Sequence, residues 1–225
     1  LRGEANAQAL AWLECPQNWP GGRLAIHGDA GTGKTHLLHL FIAQHGAALF
    51  AGHAMRGLPP SPQTPLAVDD ADLVPEPESL LHALNAAAEA GFPVLLAART
   101  PPSRWPATLP DLDSRLRAIH AVGLGQPDEA LLNALLARLI AERQMRVEEG
   151  VQKYLLARLP RNCAAIREAA ARLDRASLSA GTRVTQKLAG VIAAELQDDP
   201  ALAPGDRDDF EQPARKLSPG GLPLL

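Results

Sequence analysis

Apolar positions along the chain follow two regimes. Up to about residue 126, short apolar runs alternate with helical-period segments; from Asp128 onward only the helical period remains. The runs Leu24-Ala25-Ile26, Ala47 to Ala51, Leu66-Ala67-Val68, Phe92 to Ala98 and Ile119 to Leu124 read as buried strands. Helices are predicted over Ala5 to Glu14, where Ala9, Leu10 and Leu13 share a face before Pro16, over Lys34 to Gln44, and over Glu76 to Ala90. Strands that alternate with helices predict an α/β core with a parallel, doubly wound sheet. Helical periodicity then covers Ala130 to Gln144, Glu148 to Leu159, Asn162 to Leu178 and Val184 to Leu196, and these Leu and Ala stripes are expected to be packing faces. The organisation expected is therefore a core over 1–126, a small all-α domain over 127–197, and a flexible tail over 198–225 rich in Asp, Pro and Gly.

One connection carries chemistry. Gly28-Asp29-Ala30-Gly31-Thr32-Gly33-Lys34-Thr35 joins the first strand to the next helix with the spacing Gly, any four, Gly-Lys-Ser/Thr. Glycines there let successive N–H groups turn inward around a polyphosphate, and the helix N-terminus adds about half a positive charge beneath it. Lys34 is expected to reach the β and γ phosphates and the Thr35 hydroxyl to ligate magnesium. A second signal is Asp69-Asp70 at the end of Leu66-Ala67-Val68, at the carboxyl edge of a neighbouring parallel strand. Asp69 is the candidate for the Mg²⁺ side and Asp70 for orienting or activating water.

Charge and composition narrow the partners. The chain has 225 residues and a formal net charge of −3, so no global basic field advertises nucleic acid, and any DNA contact is expected to be indirect or weak. Cys15 and Cys163 lie far apart without metal-ligand spacing and read as reduced thiols in a cytoplasmic protein. No apolar run approaches the roughly 20 residues that span a bilayer. His27, His39, His45, His53 and His120 show no metal-like spacing. Trp12, Trp19 and Trp105 are not interleaved with basic residues and are expected to anchor core or loops. Arg99 and Arg104 are expected on the solvated surface.

GDAGTGKTHLLH, the Asp69-Asp70 pair, SLLHALNAAAEAG (79–91), LPDLDSRL (109–116) and the helical segment after them resemble the AAA+ domain of the bacterial replication initiator DnaA and its shorter paralogue Hda. The resemblance spans about Gly3 to Leu196 and rests on the order of the nucleotide motifs with His36, His82, Asn85 and Ser114-Arg115. It implies an AAA+ P-loop NTPase core with a helical lid, an adenine nucleotide (ADP or ATP) with Mg²⁺ held by Gly28 to His36, and Leu1, Arg2 and Gly3 beside the base. It also implies that Arg115 is an arginine finger presented to a neighbour's nucleotide. An arrangement that stops after the lid is that of Hda. The resemblance then implies a regulator that docks on the DNA-loaded sliding clamp, stimulates hydrolysis of ATP held by DnaA, and so represses re-initiation. The family's clamp-binding peptide is expected ahead of Leu1; Gly221 to Leu225 has only a loosely similar apolar character.

Two positions depart from the family pattern. Ala97 and Ala98 stand where a polar sensor residue is expected, and Ala164 stands where the lid arginine is expected, with Arg161 and Arg167 one turn away on either side. These departures predict slow hydrolysis by the chain itself. A DnaA-type initiator fragment, a helicase-loader ATPase, a self-sufficient ATP-hydrolysing enzyme and assembly into a homo-oligomer all stay open at this level.

Overall fold

The computed structural model describes residues 1–58, 61–106 and 108–199. Five strands, β1 (Arg23–His27), β2 (Ala48–Ala51), β3 (Leu66–Asp69), β4 (Val94–Ala98) and β5 (His120–Gly123), form one sheet in the order β2-β3-β4-β1-β5. Every pairing is parallel. Helices α1 (Ala7–Leu13), α2 (Lys34–His45), α3 (Pro77–Ala90) and α4 (Pro110–Ala118) cover its two faces. Both faces are dry, which is why the strands read as continuous apolar runs. Leu24 and Ile26 of β1 point into one cluster with Leu37, Leu38 and Phe41 of α2. Ala25 between them points into the other, with Leu80 and Leu84 of α3 and Leu112 and Leu116 of α4.

Four more helices, α5 (Glu129–Glu142), α6 (Val151–Leu156), α7 (Cys163–Ala180) and α8 (Gln186–Gln197), build a separate apolar cluster around Leu136, Leu155, Ile166 and Leu173. The Leu and Ala stripes of the second half are its packing faces. Side-chain caps start three of these helices: Asp128 accepts from Leu131 N–H, Asn162 from Ala165 N–H and Thr185 from Leu188 N–H.

Element limits differ from the sequence reading where tertiary pairing intervenes. The first helix is a 3₁₀ turn, Glu4–Asn6, followed by α1. The segment expected to be helical from Glu148 to Leu159 is reduced to α6, because Val147 is taken up in a parallel bridge with Val184 and Gly150 stands at a positive φ just before the helix. The same bridge delays α8 to Gln186. Among the described residues between β4 and α4 there is one 3₁₀ turn, Pro102–Arg104, tied down by the buried Trp105, whose indole N–H donates to Thr100 O at 2.8 Å. Trp19 is likewise a core anchor, stacked on Phe41. No helix among the described residues is long and apolar enough to cross a membrane. The expected tail lies outside the described residues beyond Asp199, as does Gly221 to Leu225.

Candidate functional site

The chemistry sits where β1, β3 and β4 end. The loop leaves β1 at Gly28, whose N–H donates to Ala98 O of β4. A Cβ at Gly28 would lie 2.6 Å from Leu124 O, so the backbone passes there only as glycine. Lys34 is nearly fully buried at 9% exposure and its ammonium donates to the carbonyls of Gly28 (2.6 Å) and Asp29 (2.7 Å) of its own loop. Thr32 caps the turn by donating to Asp29 O, while the Asp29 carboxylate accepts from Gln126. The Thr35 hydroxyl donates to Asp69 Oδ2 at 2.8 Å. A hydroxyl and a carboxylate oxygen held together at a helix N-terminus are hard donors of the kind magnesium prefers, so the residues present suit that ion. Asp70 follows in a left-handed conformation (φ 50°) with its N–H on Asp69 Oδ1. Burial holds the Lys34 pKa below its ordinary value; Asp70 and Asp69 act against that and favour the charged form.

Two adjoining cavities open from this loop. A chamber of about 300 Å³ brings together Ala30, Gly31, Gly33, Lys34, Thr35, His36, Asp69 and Asp70, the hydrophilic side that a polyphosphate requires. Gly28, Asp29 and Thr32 shape it through the hydrogen bonds above. A second cavity of about 180 Å³, with Leu131, Leu135 and Leu139 of α5 on one wall and Leu37 of α2 opposite, shares Gly33, His36 and Arg167 with the first. Burial, then the positive charge of Arg167, keep the His36 pKa below its usual value, so it presents a neutral imidazole at neutral pH. Leu1 and Asn6 line this apolar cavity. Arg2 and Gly3 do not: Arg2 pairs with Glu14 at 2.6 Å, and Gly3 packs near Leu131 and Asp128.

Two cations line the site, one expected on the surface and one of the two lid arginines left as alternatives by the sequence. Arg99, expected on the open surface, lines the phosphate-sized chamber although its side chain remains solvent-accessible. A signal existed in the register. His27 pairs alongside Ala98, so the first residues beyond each strand, Gly28 and Arg99, are neighbours. Of the two lid arginines, Arg167 lines both cavities, whereas Arg161 lies in a different groove with Glu129 and Lys153. Ala164 lines the chamber without offering a polar atom from its side chain.

Arg115 is not brought to this site. It lies on α4, one-third exposed, with Nε 3.4 Å from Asp111 Oδ1. Its charge is felt by Arg23, whose pKa is lowered by burial first and by Arg115 second. Arg23 opens β1, and the phosphate loop leaves the other end of that strand, four residues and about 13 Å away.

The lid meets the loop through the start of α7. Cys163 N–H, one of the donors a helix N-terminus leaves without an intrahelical partner, donates to Gly31 O at 3.1 Å. Gly31 has φ +78°, and a Cβ there would lie 2.7 Å from Asn162 Cβ. Gly31→Ala therefore combines backbone strain with a clash at this junction. It is expected to destabilise the protein by about 1–3 kcal/mol and to loosen the lid in urea denaturation and amide exchange at α7; wild-type exchange at α7 in this variant would contradict the contact's importance.

Residues 128–187 match the family model described as the Hda lid domain. Among solved structures, domain III of the Thermotoga maritima replication initiation protein DnaA is similar with a TM-score of 0.71 and 19% identity, over 88% of this chain and 95% of that one. AMPPCP-bound DnaA from Aquifex aeolicus is similar with a TM-score of 0.60 and 21% identity, over 75% of this chain and 61% of that one. The Thermotoga maritima RuvB Holliday junction branch migration motor gives a TM-score of 0.63 at 16% identity, over 88% and 70%. At these identities the likeness is one of fold, and the match spans less than two thirds of the Aquifex DnaA chain. Residues 128–187 thus match a lid of the Hda type, and the chain as a whole shares the fold of DnaA domain III.

Proposed function

We propose that this chain is an Hda-like regulator of replication initiation: it holds an adenine nucleotide in its own loop and acts, in the cytoplasm, on ATP held by DnaA. The observation that carries the reading is the separation of Arg115 from the chain's own phosphate-sized chamber. A guanidinium serves a neighbour's site well because it is permanently charged and meets phosphate oxygens through a planar fork. Its ion pair to Asp111 is long and open to solvent on the Asp111 side, so it holds Arg115 only weakly and yields when a partner docks. Docking that excludes water then strengthens the interaction with the developing charge. Arginine fingers of this kind contribute factors of about 10³–10⁵ in rate. The sliding clamp loaded on DNA is the platform on which the family resemblance places this reaction.

In the chain's own site, ADP or ATP is assigned to Gly28 to His36, with the base in the apolar cavity beneath α5 and the phosphates along the loop. Two solved DnaA structures of similar fold hold AMPPCP, which supports an adenine nucleotide. Magnesium, held by Thr35 and Asp69, would neutralise phosphate charge there. Asp70 is assigned to water near the last phosphate.

A second reading, an ATPase that needs no partner, is favoured by Arg99 and Arg167, which supply cations where Ala98 and Ala164 do not. One assay separates the two. DnaA preloaded with labelled ATP is incubated with this protein, with and without DNA-loaded clamp, using wild type and Asp70→Asn. The regulatory reading expects label on DnaA to convert to ADP only when protein and loaded clamp are both present, equally with Asp70→Asn. Hydrolysis that needs neither DnaA nor clamp, at roughly 1 s⁻¹ or faster, and that disappears with Asp70→Asn, would instead establish the self-sufficient enzyme.

A further inference from the structure

A groove of about 510 Å³ at the outer end of the lid belongs to neither nucleotide cavity. It lies between the turn that follows α5 and the turn that follows α7, and a single parallel bridge between Val147 and Val184 fixes these two turns side by side. Two hydrogen bonds hold the bridge: Val184 N–H donates to Arg146 O at 2.7 Å and Glu148 N–H donates to Val184 O at 3.1 Å. Val184 is fully buried and Val147 packs on the lid core. Successive side chains on paired strands alternate in direction, so the residues one step earlier, Arg146 and Arg183, stand next to each other on the outward side. Their backbones are about 5 Å apart, the spacing of neighbouring strands.

Two arginines in register repel, and a protein interested only in stability would pair them with carboxylates. Among the described residues neither Arg146 nor Arg183 has an ion-pair partner, and both are exposed. A third arginine, Arg143, lines the same groove and is only 4.0 Å from Asp174, the one carboxylate in it. The remaining polar lining includes Gln144, Ser177 and Thr182, side chains that hydrogen-bond to phosphate and sugar oxygens. The groove contains no aromatic residue on which a base would stack.

We infer that this groove is a contact site for the phosphodiester backbone of double-stranded DNA, bound without regard to sequence. The guanidiniums of Arg146 and Arg183, presented in parallel by the bridge, each engage a phosphate, and Arg143 reinforces them. An acidic peptide is the competing occupant: it would also cover the apolar Met145 and Leu178 in the lining, which a phosphodiester backbone leaves uncovered. The site is local, so the chain's slightly acidic net charge does not oppose it beyond a Debye length of about 8 Å at physiological salt.

The test is fluorescence anisotropy of a short labelled duplex with the full chain across a salt series. Wild type is expected to bind weakly, in the range of about 10⁻⁴–10⁻⁶ M, with log affinity falling by about 0.9 for each phosphate neutralised per decade of salt. Arg146→Ala combined with Arg183→Ala should make that slope shallower by about 2 and weaken binding at low salt at least about tenfold. Arg99→Ala combined with Arg167→Ala, which strips the nucleotide chamber of two cations, should leave the duplex affinity unchanged. Absence of wild-type binding at low salt, or a slope and affinity unaffected by removal of Arg146 and Arg183, would overturn the proposal. Tighter binding of a polyglutamate peptide of equal charge would overturn it in favour of a protein partner. Thermal melting of the double variant confirms that the exposed substitutions leave the lid folded.

Discussion

The contact between Gly31 and the first residues of α7 governs how this molecule is put together. A phosphate-binding loop needs open N–H groups and conformational freedom, and a helix N-terminus needs acceptors for its orphan donors. Here the outward carbonyl of Gly31 supplies one such acceptor to Cys163, and Asn162 packs on the bare Cα of the same glycine. Core and lid are thereby joined at the loop itself. The apolar cavity and the polar chamber lie on either side of that junction and share Gly33, His36 and Arg167. A ligand that filled both would touch core and lid at once, so lid position and loop state are coupled by geometry.

Parallel pairing supplies the rest of the site. β1 and β3 flank β4 in the sheet, and their carboxyl ends deliver Gly28, Asp69 and Arg99 to one edge. The amino end of β1 carries Arg23, beside Arg115. One strand thus separates the chain's own phosphate-sized chamber from the arginine assigned to a partner. The basic residues that matter are distributed as separate local groups in a protein whose overall charge is slightly negative, and each group acts at short range.

How much of this could be read from sequence depends on whether the signal was contiguous. The loop and the Asp69-Asp70 pair are local motifs bounded by apolar strands, and their placement beside one another follows from the parallel α/β order. All five strands were legible because burial on both faces leaves unbroken apolar runs such as Val94 to Ala98. Arg99 was read as surface because its proximity to the loop depends on the register of β4 against β1, which no local pattern reveals. Arg167 and Arg161 were equivalent candidates until the packing of α7 turned one into the cavities and left the other outside. The helix limits around Val147 and Val184 failed for the same reason: a pairing between residues far apart in sequence overrode helical periodicity.

Under the proposed function this protein carries two activities in two places, a nucleotide site of its own and an arginine for another's. Arg115→Ala measures that most directly when ADP affinity by calorimetry is read beside conversion of DnaA-bound ATP with DNA-loaded clamp. Wild-type ADP affinity and thermal stability together with loss of the conversion are expected. A substantial loss of ADP binding, with conversion unchanged once nucleotide is saturating, would place Arg115 in its own pocket and contradict it.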